Sequence, residues 1–238
     1  MKVDIVERLG PSHSPNPNDY LLVRELIHRI NNELALIIGR ASLTAARSTN
    51  EEVKSALSHV MRLLHHCADL NKALEMPTHS TIIDVSDYVR VLCQSIRRAR
   101  LDERGIELVL LTQPLQMRSE RCWTLGIIVS ELITNSVRHA FNGGGGRIQI
   151  ELSSAGPYVQ CCVMDNGSPQ PSSVPGQGLK IIEALARELD GEIVHQFSAG
   201  GAVSMLMFPL NSKVQRIETD SWTSDTDWRS LGSAVYPT

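Results

Sequence analysis

Residues 25–41, "ELIHRINNELALIIGRA", set a histidine, an arginine and two asparagines inside an otherwise apolar run. Around them Val23, Ile27, Ile30, Leu34, Ile37 and Ala41 recur at alternating steps of four and three. That spacing predicts a long helix, starting near Tyr20, whose seam packs on other helices. His28 follows Ile27 by one residue, and a turn of about 100° per residue carries it off the seam, with Arg24 and Asn31 on the same side. Its ring is expected to face solvent. An exposed imidazole near neutral pH keeps a nitrogen lone pair free and can accept a phosphoryl group. One surface histidine among eight carries no function by itself, so the rest of the chain has to decide.

Upstream, "GPSHSPNPN" favours a flexible start over residues 1–17, with Asn18 or Asp19 able to cap the helix. Downstream, "STNEE" (48–52) contains two overlapping capping-box patterns, Ser48 to Glu51 and Thr49 to Glu52. A second helix then carries Val53, Leu57, Val60, Leu64, Cys67 and Leu74 at the same spacing, interrupted at Asn71. Two antiparallel helices joined by a short turn make a hairpin over residues 18–77. Such a hairpin buries too little apolar surface alone, whereas two of them can share the core of a four-helix bundle. A homodimer is therefore expected. Pro77 closes the hairpin, and a second domain is expected over residues 82–210.

That second segment mixes periods. "VSDYVRVLCQSIRRARL" and "ERCWTLGIIVSELITNSVRHAF" read as helices, and "IELVLL" between them as a strand. "RIQIEL" and "YVQCCVMD" read as paired strands, "GLKIIEALAREL" as a helix stopped at Gly191, and "EIVHQFSAGGAVSMLMFPL" as a hairpin turning at Gly200-Gly201. The class is α+β, a helical hairpin followed by an α/β layered domain. Residues 211–238, rich in Ser, Thr and Asp, are expected to be a disordered tail, although Trp222, Trp228 and Tyr236 could form a docking motif.

Composition removes several classes of function. In 238 residues, 42% of them hydrophobic, a real core can form. No charged leader precedes an apolar core, and no apolar run approaches the roughly 20 residues that span a bilayer. A cytoplasmic protein with no membrane partner is expected. The net charge of -3 and pI near 6.2 lack the basic footprint of nucleic-acid binding. Five cysteines, odd in number and without paired ligand spacing, are expected to be reduced core residues.

Three further stretches fit one nucleotide site. "ELITNSVRHAF" places Glu131, Asn135 and His139 at steps of four on one helical face. The Asn135 amide could anchor a phosphate-bridging Mg²⁺, an ion that prefers hard oxygen ligands. "MDNGSPQP" ends a strand at Asp165, whose carboxylate could accept a hydrogen bond from an exocyclic amine, and Gly167 allows close backbone approach. "PGQGLKII" puts Gly176 and Gly178 before a helix, where free amides and the positive helix end suit phosphates.

Together these stretches resemble a known family. "ELIHRINNELALI" is similar to the phosphoacceptor box of two-component sensor histidine kinases, in the subgroup allied to the HWE kinases. "ELITNSVRHAF", "MDNG" and "GQGL" resemble the N, G1 and G2 boxes of their ATP-binding domain, and "SAGGAVSMLMFPL" its closing strands. The likeness covers residues 20–210 in the family's order. It implies a dimerisation and phosphotransfer hairpin, then a Bergerat-type (GHKL) α/β sandwich that binds ATP and Mg²⁺. On this resemblance His28 is the phosphorylated residue, Asn135 the Mg²⁺ anchor and Asp165 the adenine reader. Gly167, Gly176 and Gly178 supply the backbone platform and lid hinges, and His139 lies near the phosphates. The phosphoryl group would pass from ATP to His28 and on to an aspartate of a response regulator receiver domain. Glu25, one turn before His28, is a candidate proton partner or a solvated helix charge.

The chain also departs from the pattern. Ser168-Pro169 follows Gly167 where the family has a further glycine, Asn31 and Glu33 replace the usual box residues, and Ala202 stands where relatives carry threonine. The lid from Ser168 to Pro175 is short, and no Trp-x-Glu element follows. A histidine phosphotransferase or docking scaffold with a vestigial nucleotide site is the alternative, and a serine kinase acting on a sigma factor a third. Fewer than 20 residues precede the first helix, so any input is expected from a separate sensor protein.

Overall fold

The structure, a computed structural model, describes residues 17–75, 81–141, 143–168 and 177–211, without the side chains of residues 17–24 and 177. The expected flexible start before Pro17, the lid beyond Ser168, Gly176 and the tail beyond Asn211 lie outside those residues. So do the side chains of Asn18, Asp19, Val23 and Arg24.

Helix α1 spans Pro17–Arg47, starting three residues before Tyr20. A proline at the first helical position loses no hydrogen bond and presets the backbone, which favours the earlier start. Helix α2 spans Glu51–Ala73 and returns along α1. Its cap is Asn50, not the predicted Ser48 or Thr49: the Asn50 carboxamide oxygen accepts from the amides of Glu52, at 2.8 Å, and Val53. Ser48 instead accepts the Asn50 amide at 3.1 Å, because three linking residues are spent before the helix begins.

The single seam read along each helix divides into two faces. Ile27, Leu34 and Ala41 are half-buried toward α2, whereas Ile30 and Ile37 remain about half exposed, at 47% and 50%. On α2, Leu57 and Leu64 turn inward while Val53, Val60 and Cys67 are exposed. Asn31, expected beside His28 in solvent, is half-buried and faces α2. There the Asn71 amide donates to the Asn31 carboxamide oxygen at 3.3 Å, and the Asn31 amide donates to Glu75 Oε1 at 3.5 Å. The interruption at Asn71 thus matches Asn31 across the hairpin. A polar pair fixes helix register, since a slip would leave half-buried amides without partners.

Strand β1 (Ile82–Asp84) pairs antiparallel with β3 (Gln116–Arg118), a small ribbon that the sequence patterns did not announce. Helix α3 (Val85–Ile96) is capped by Asp84 and runs into a π-helical turn at Arg97–Leu101, then a 3-10 turn at Asp102–Arg104. The main sheet holds β2 (Ile106–Thr112), β4 (Gly146–Ala155), β5 (Tyr158–Asp165), β6 (Glu192–Ser198) and β7 (Gly201–Pro209) in the order β2-β4-β5-β7-β6. Only the β2 and β4 pair is parallel. Helices α4 (Ser119–His139) and α5 (Gln177–Glu188) complete the helical layer with α3.

Alternation along the strands makes one face apolar, so Ile148, Ile150 and Leu152 of β4 and Val159, Cys161 and Val163 of β5 are buried. They share a core with Leu92 and Ile96 of α3, Ile128 and Ile133 of α4 and Ile182 of α5. Burial pushes the thiols of Cys93 and Cys122 up to about 12 and that of Cys162 to about 11, and raises Cys161 too. These four are reduced core residues as expected, while Cys67 is exposed on α2. Among the described residues no helix is long and apolar enough to cross a membrane.

The end of α2 enters this core. Leu70 of α2 is only 4% exposed within it, and the indole of Trp123 on α4 donates to the Leu74 carbonyl at 2.9 Å. Leu70→Ala is expected to cost about 2–5 kcal/mol in urea unfolding of the full chain, followed by circular dichroism. A loss below about 1 kcal/mol, the size of a surface substitution, would contradict this anchoring.

Candidate functional site

Helix α4 exists because its apolar face meets the sheet, and this leaves a polar flank toward α5. Glu131 and Asn135 are half-buried on that flank, and His139 is exposed at its C-terminal end. Gly178, at the start of α5, comes so close that a Cβ there would lie 2.7 Å from Glu131 Oε1 and 3.5 Å from Asn135 Oδ1. Glycine is therefore what lets the N-terminal end of α5, with its unpaired amides and partial positive charge, approach the Asn135 carboxamide.

One residue further on α4, Ser136 donates its hydroxyl to Asp165 Oδ2 at 2.7 Å. Asp165 ends β5 and is only 8% exposed. Its other oxygen, Oδ1, accepts the Gly167 amide at 3.1 Å and the Ala202 amide at 3.2 Å. A carboxylate offers about four lone-pair sites, so three donors leave one acceptor position on Oδ2. Burial of a carboxylate is tolerated here because each oxygen is hydrogen-bonded.

Two glycines permit this packing. A Cβ on Gly167 would lie 2.4 Å from the Ala140 carbonyl oxygen at the end of α4, and one on Gly201 would collide with the Asp165 carbonyl. Gly201 also has φ of 132°, a region side chains avoid. Asn166 ties the turn to the neighbouring strand, accepting the Arg147 amide at 2.7 Å.

The structure thus brings Asn135, Asp165, Gly167 and Gly178 to one end of the sheet, with Glu131 beside them and His139 at the rim. Ser136 and the Ala202 amide are donors to Asp165 that sequence reading missed. Ser136 stands next to Asn135 in the motif but bears no chemistry of its own, and a backbone amide leaves no trace in a sequence. His28 stands exposed on α1, and among the described residues no hydrogen bond or ion pair links it to this cluster. Glu25, one turn away, is paired with Arg29 at 2.9 Å rather than with His28.

Hard oxygen donors on Glu131 and Asn135 suit Mg²⁺. Among the described residues no cluster of three or more His, Cys, Asp or Glu could hold a metal alone, so the remaining ligands would have to come from phosphates and water.

A family model described as "Histidine kinase-like ATPase domain" matches residues 89–207, half of the chain, and a model described as "Histidine kinase" matches residues 25–100. The chain is 25% identical over 209 residues to the sensor histidine kinase PdtaS of Mycolicibacterium smegmatis, covering 80% of this chain and 40% of that protein. It is 26% identical over 237 residues to blue-light-activated histidine kinase 2 of Erythrobacter litoralis, covering 94% of this chain and 67% of that protein. It therefore spans about two fifths of PdtaS. The histidine kinase domain of the Erythrobacter litoralis EL346 blue-light activated histidine kinase has the same fold, with a TM-score of 0.52 at 16% identity over 82% of this chain and 95% of that one. With one model matched from within α1 through the end of α3, and another over the α/β layer that carries Asn135 on α4 and Asp165 on β5, this chain belongs to the histidine kinase family.

Proposed function

We propose that the protein binds ATP with Mg²⁺ at the Asp165–Asn135 site, phosphorylates itself on His28 and passes the phosphoryl group to an aspartate of a response regulator receiver domain. The observation that carries this reading is the Asp165 carboxylate, locked by three donors with one acceptor position left for the exocyclic amine of adenine. Asn135 and the start of α5 would lie along the phosphates, with His139 at their edge. Mg²⁺, held by Asn135 through the phosphates, would offset their negative charge.

The transfer balances simply. A His28 ring nitrogen bonds to the γ-phosphorus, the bond to the β,γ-bridging oxygen breaks, and ADP leaves with that electron pair. The ring's other proton is then released to solvent, which reaches it freely because the side chain is exposed. Positioning supplies most of the rate, since the hairpin and the nucleotide site sit on separate elements that must meet. In the second transfer a carboxylate oxygen of the receiver aspartate bonds to the phosphorus, the nitrogen–phosphorus bond breaks, and the His28 ring keeps that electron pair and regains a proton from solvent.

We also propose a homodimer through the hairpin. The exposed stripe of Leu26, Ile30 and Ile37 on α1, with Val53 and Val60 on α2, is apolar and repeats at helical spacing, as the unfilled side of a four-helix bundle would.

Two measurements test these readings. Incubation with γ-labelled ATP and Mg²⁺ is expected to give acid-labile, alkali-stable label in the wild type. None is expected in His28→Ala, and Asn135→Ala should be reduced on the order of 100-fold. Absence of label in the wild type, with His28 still accepting phosphate from a phosphorylated receiver domain, would replace the kinase reading by that of a phosphotransferase. Light scattering should give twice the chain mass for the wild type and the monomer mass for Ile30→Glu/Ile37→Glu, with unchanged circular dichroism. A monomeric wild type would refute the dimer.

A further inference from the structure

Six of the exposed arginines are paired with carboxylates, whereas Arg40, Arg47 and Arg62, spread along the hairpin, have no ion pair among the described residues. Arg29, Arg90, Arg97, Arg118, Arg147 and Arg187 each lie 2.5–3.6 Å from a carboxylate oxygen. Four more gather at one place, a cleft of about 420 Å³ between α2, the turns over residues 97–104 and α4. Arg98, Arg100, Arg104 and Arg138 converge on it, against the single carboxylate of Glu103. Glu103 lies 3.5 Å from a ring nitrogen of His59, and Arg100 donates to the Thr134 hydroxyl. Arg98, Arg104 and Arg138 have no ion pair among the described residues.

The cleft lies on the other flank of α4 from the nucleotide cluster. Thr134, Val137 and Arg138 line it, whereas Glu131 and Asn135 meet α5 and Ser136 meets β5. A chain of net charge -3 has carboxylates to spare, yet here it sets four arginines against one. The π-helical turn contributes by widening the backbone just where Arg98 and Arg100 enter the wall, and such turns recur at functional sites.

We propose that this cleft binds an anion carrying two linked phosphoryl groups. Four guanidiniums and one carboxylate leave an excess of three positive charges. One phosphoryl group, at roughly two negative charges or fewer, leaves part of that unmatched, whereas a diphosphate satisfies it. Arginine forks take phosphate oxygens in bidentate pairs, and the volume falls in the roughly 300–1,000 Å³ range of small-molecule sites. The cleft is walled on one side by the hairpin and on the others by the sheet domain, so the bound anion bridges the two. The proposal is independent of the nucleotide reading of the Asp165 cluster.

Cys67 provides the reporter. It lines the cleft and is exposed, whereas the other four thiols are buried. The full chain is treated with N-ethylmaleimide, a neutral reagent, with pyrophosphate and no Mg²⁺, or with sodium chloride at equal ionic strength. Modification of Cys67 is read by peptide mass. Pyrophosphate at roughly ten times its Kd should slow modification about tenfold in the wild type and equally in Asn135→Ala. It should give no protection in Arg98→Ala/Arg104→Ala, which alters exposed side chains only. Protection no greater than that of chloride, protection retained in the double variant, or protection lost in Asn135→Ala would each overturn the proposal.

Discussion

The buried carboxylate of Asp165 is the constraint on which the site depends. A charge only 8% exposed must be hydrogen-bonded, and its donors come from the Ser136 hydroxyl on α4, the Gly167 amide in the turn after β5 and the Ala202 amide in β7. Satisfying one side chain therefore fixes the end of α4, the exit of the central strand and the start of its neighbour relative to each other. Gly167 and Gly201 are consequences of that closeness, because a side chain at either would strike α4 or the Asp165 backbone. Asn135, adjacent to Ser136, is set in place by the same contacts.

A second set of contacts ties the hairpin to this arrangement. Asn31, less than one turn from His28, bonds to Asn71 and Glu75 near the end of α2. Just there Leu70 enters the sheet domain's core and Leu74 accepts the Trp123 indole of α4. The helix bearing the proposed phosphoacceptor and the helix bearing Asn135 are thus connected by packed and hydrogen-bonded neighbours. The apolar stripes left outward on both hairpin helices have no partner among the described residues of the chain.

Much of this was legible in the sequence, for physical reasons that can be named. The strands β5, β6 and β7 and the helix α5 were readable because their apolar period survives in a layer buried on one face. The residues that gather at the sheet's end were readable because glycines, a strand-final Asp and a helical Asn have few other reasons to occur in that order. Other features were hidden. The seam of α1 read as one stripe because faces separated by a single residue's rotation both carry isoleucines, and only the position of α2 separates Ile27 from Ile30. Asn31 looked solvent-facing because its partner, Asn71, lies 40 residues away. The capping-box pattern at Ser48 and Thr49 was outcompeted by Asn50, nearer the helix start. The β1 and β3 ribbon is too short to show any period. Ala202 acts through its backbone, which no side-chain pattern records.

The proposed role of Asp165 as a reader of the adenine amine makes one comparison decisive: the affinities of the full chain for ATP and for inosine triphosphate, which lacks that amine, by calorimetry in Mg²⁺. A buried carboxylate left facing a carbonyl in place of an amine loses a charge-assisted hydrogen bond, worth about 1.5–3 kcal/mol. ATP is expected to bind at least about tenfold more tightly in the wild type, and the preference should disappear in Asp165→Asn. Equal affinity of the wild type for the two nucleotides would contradict the account.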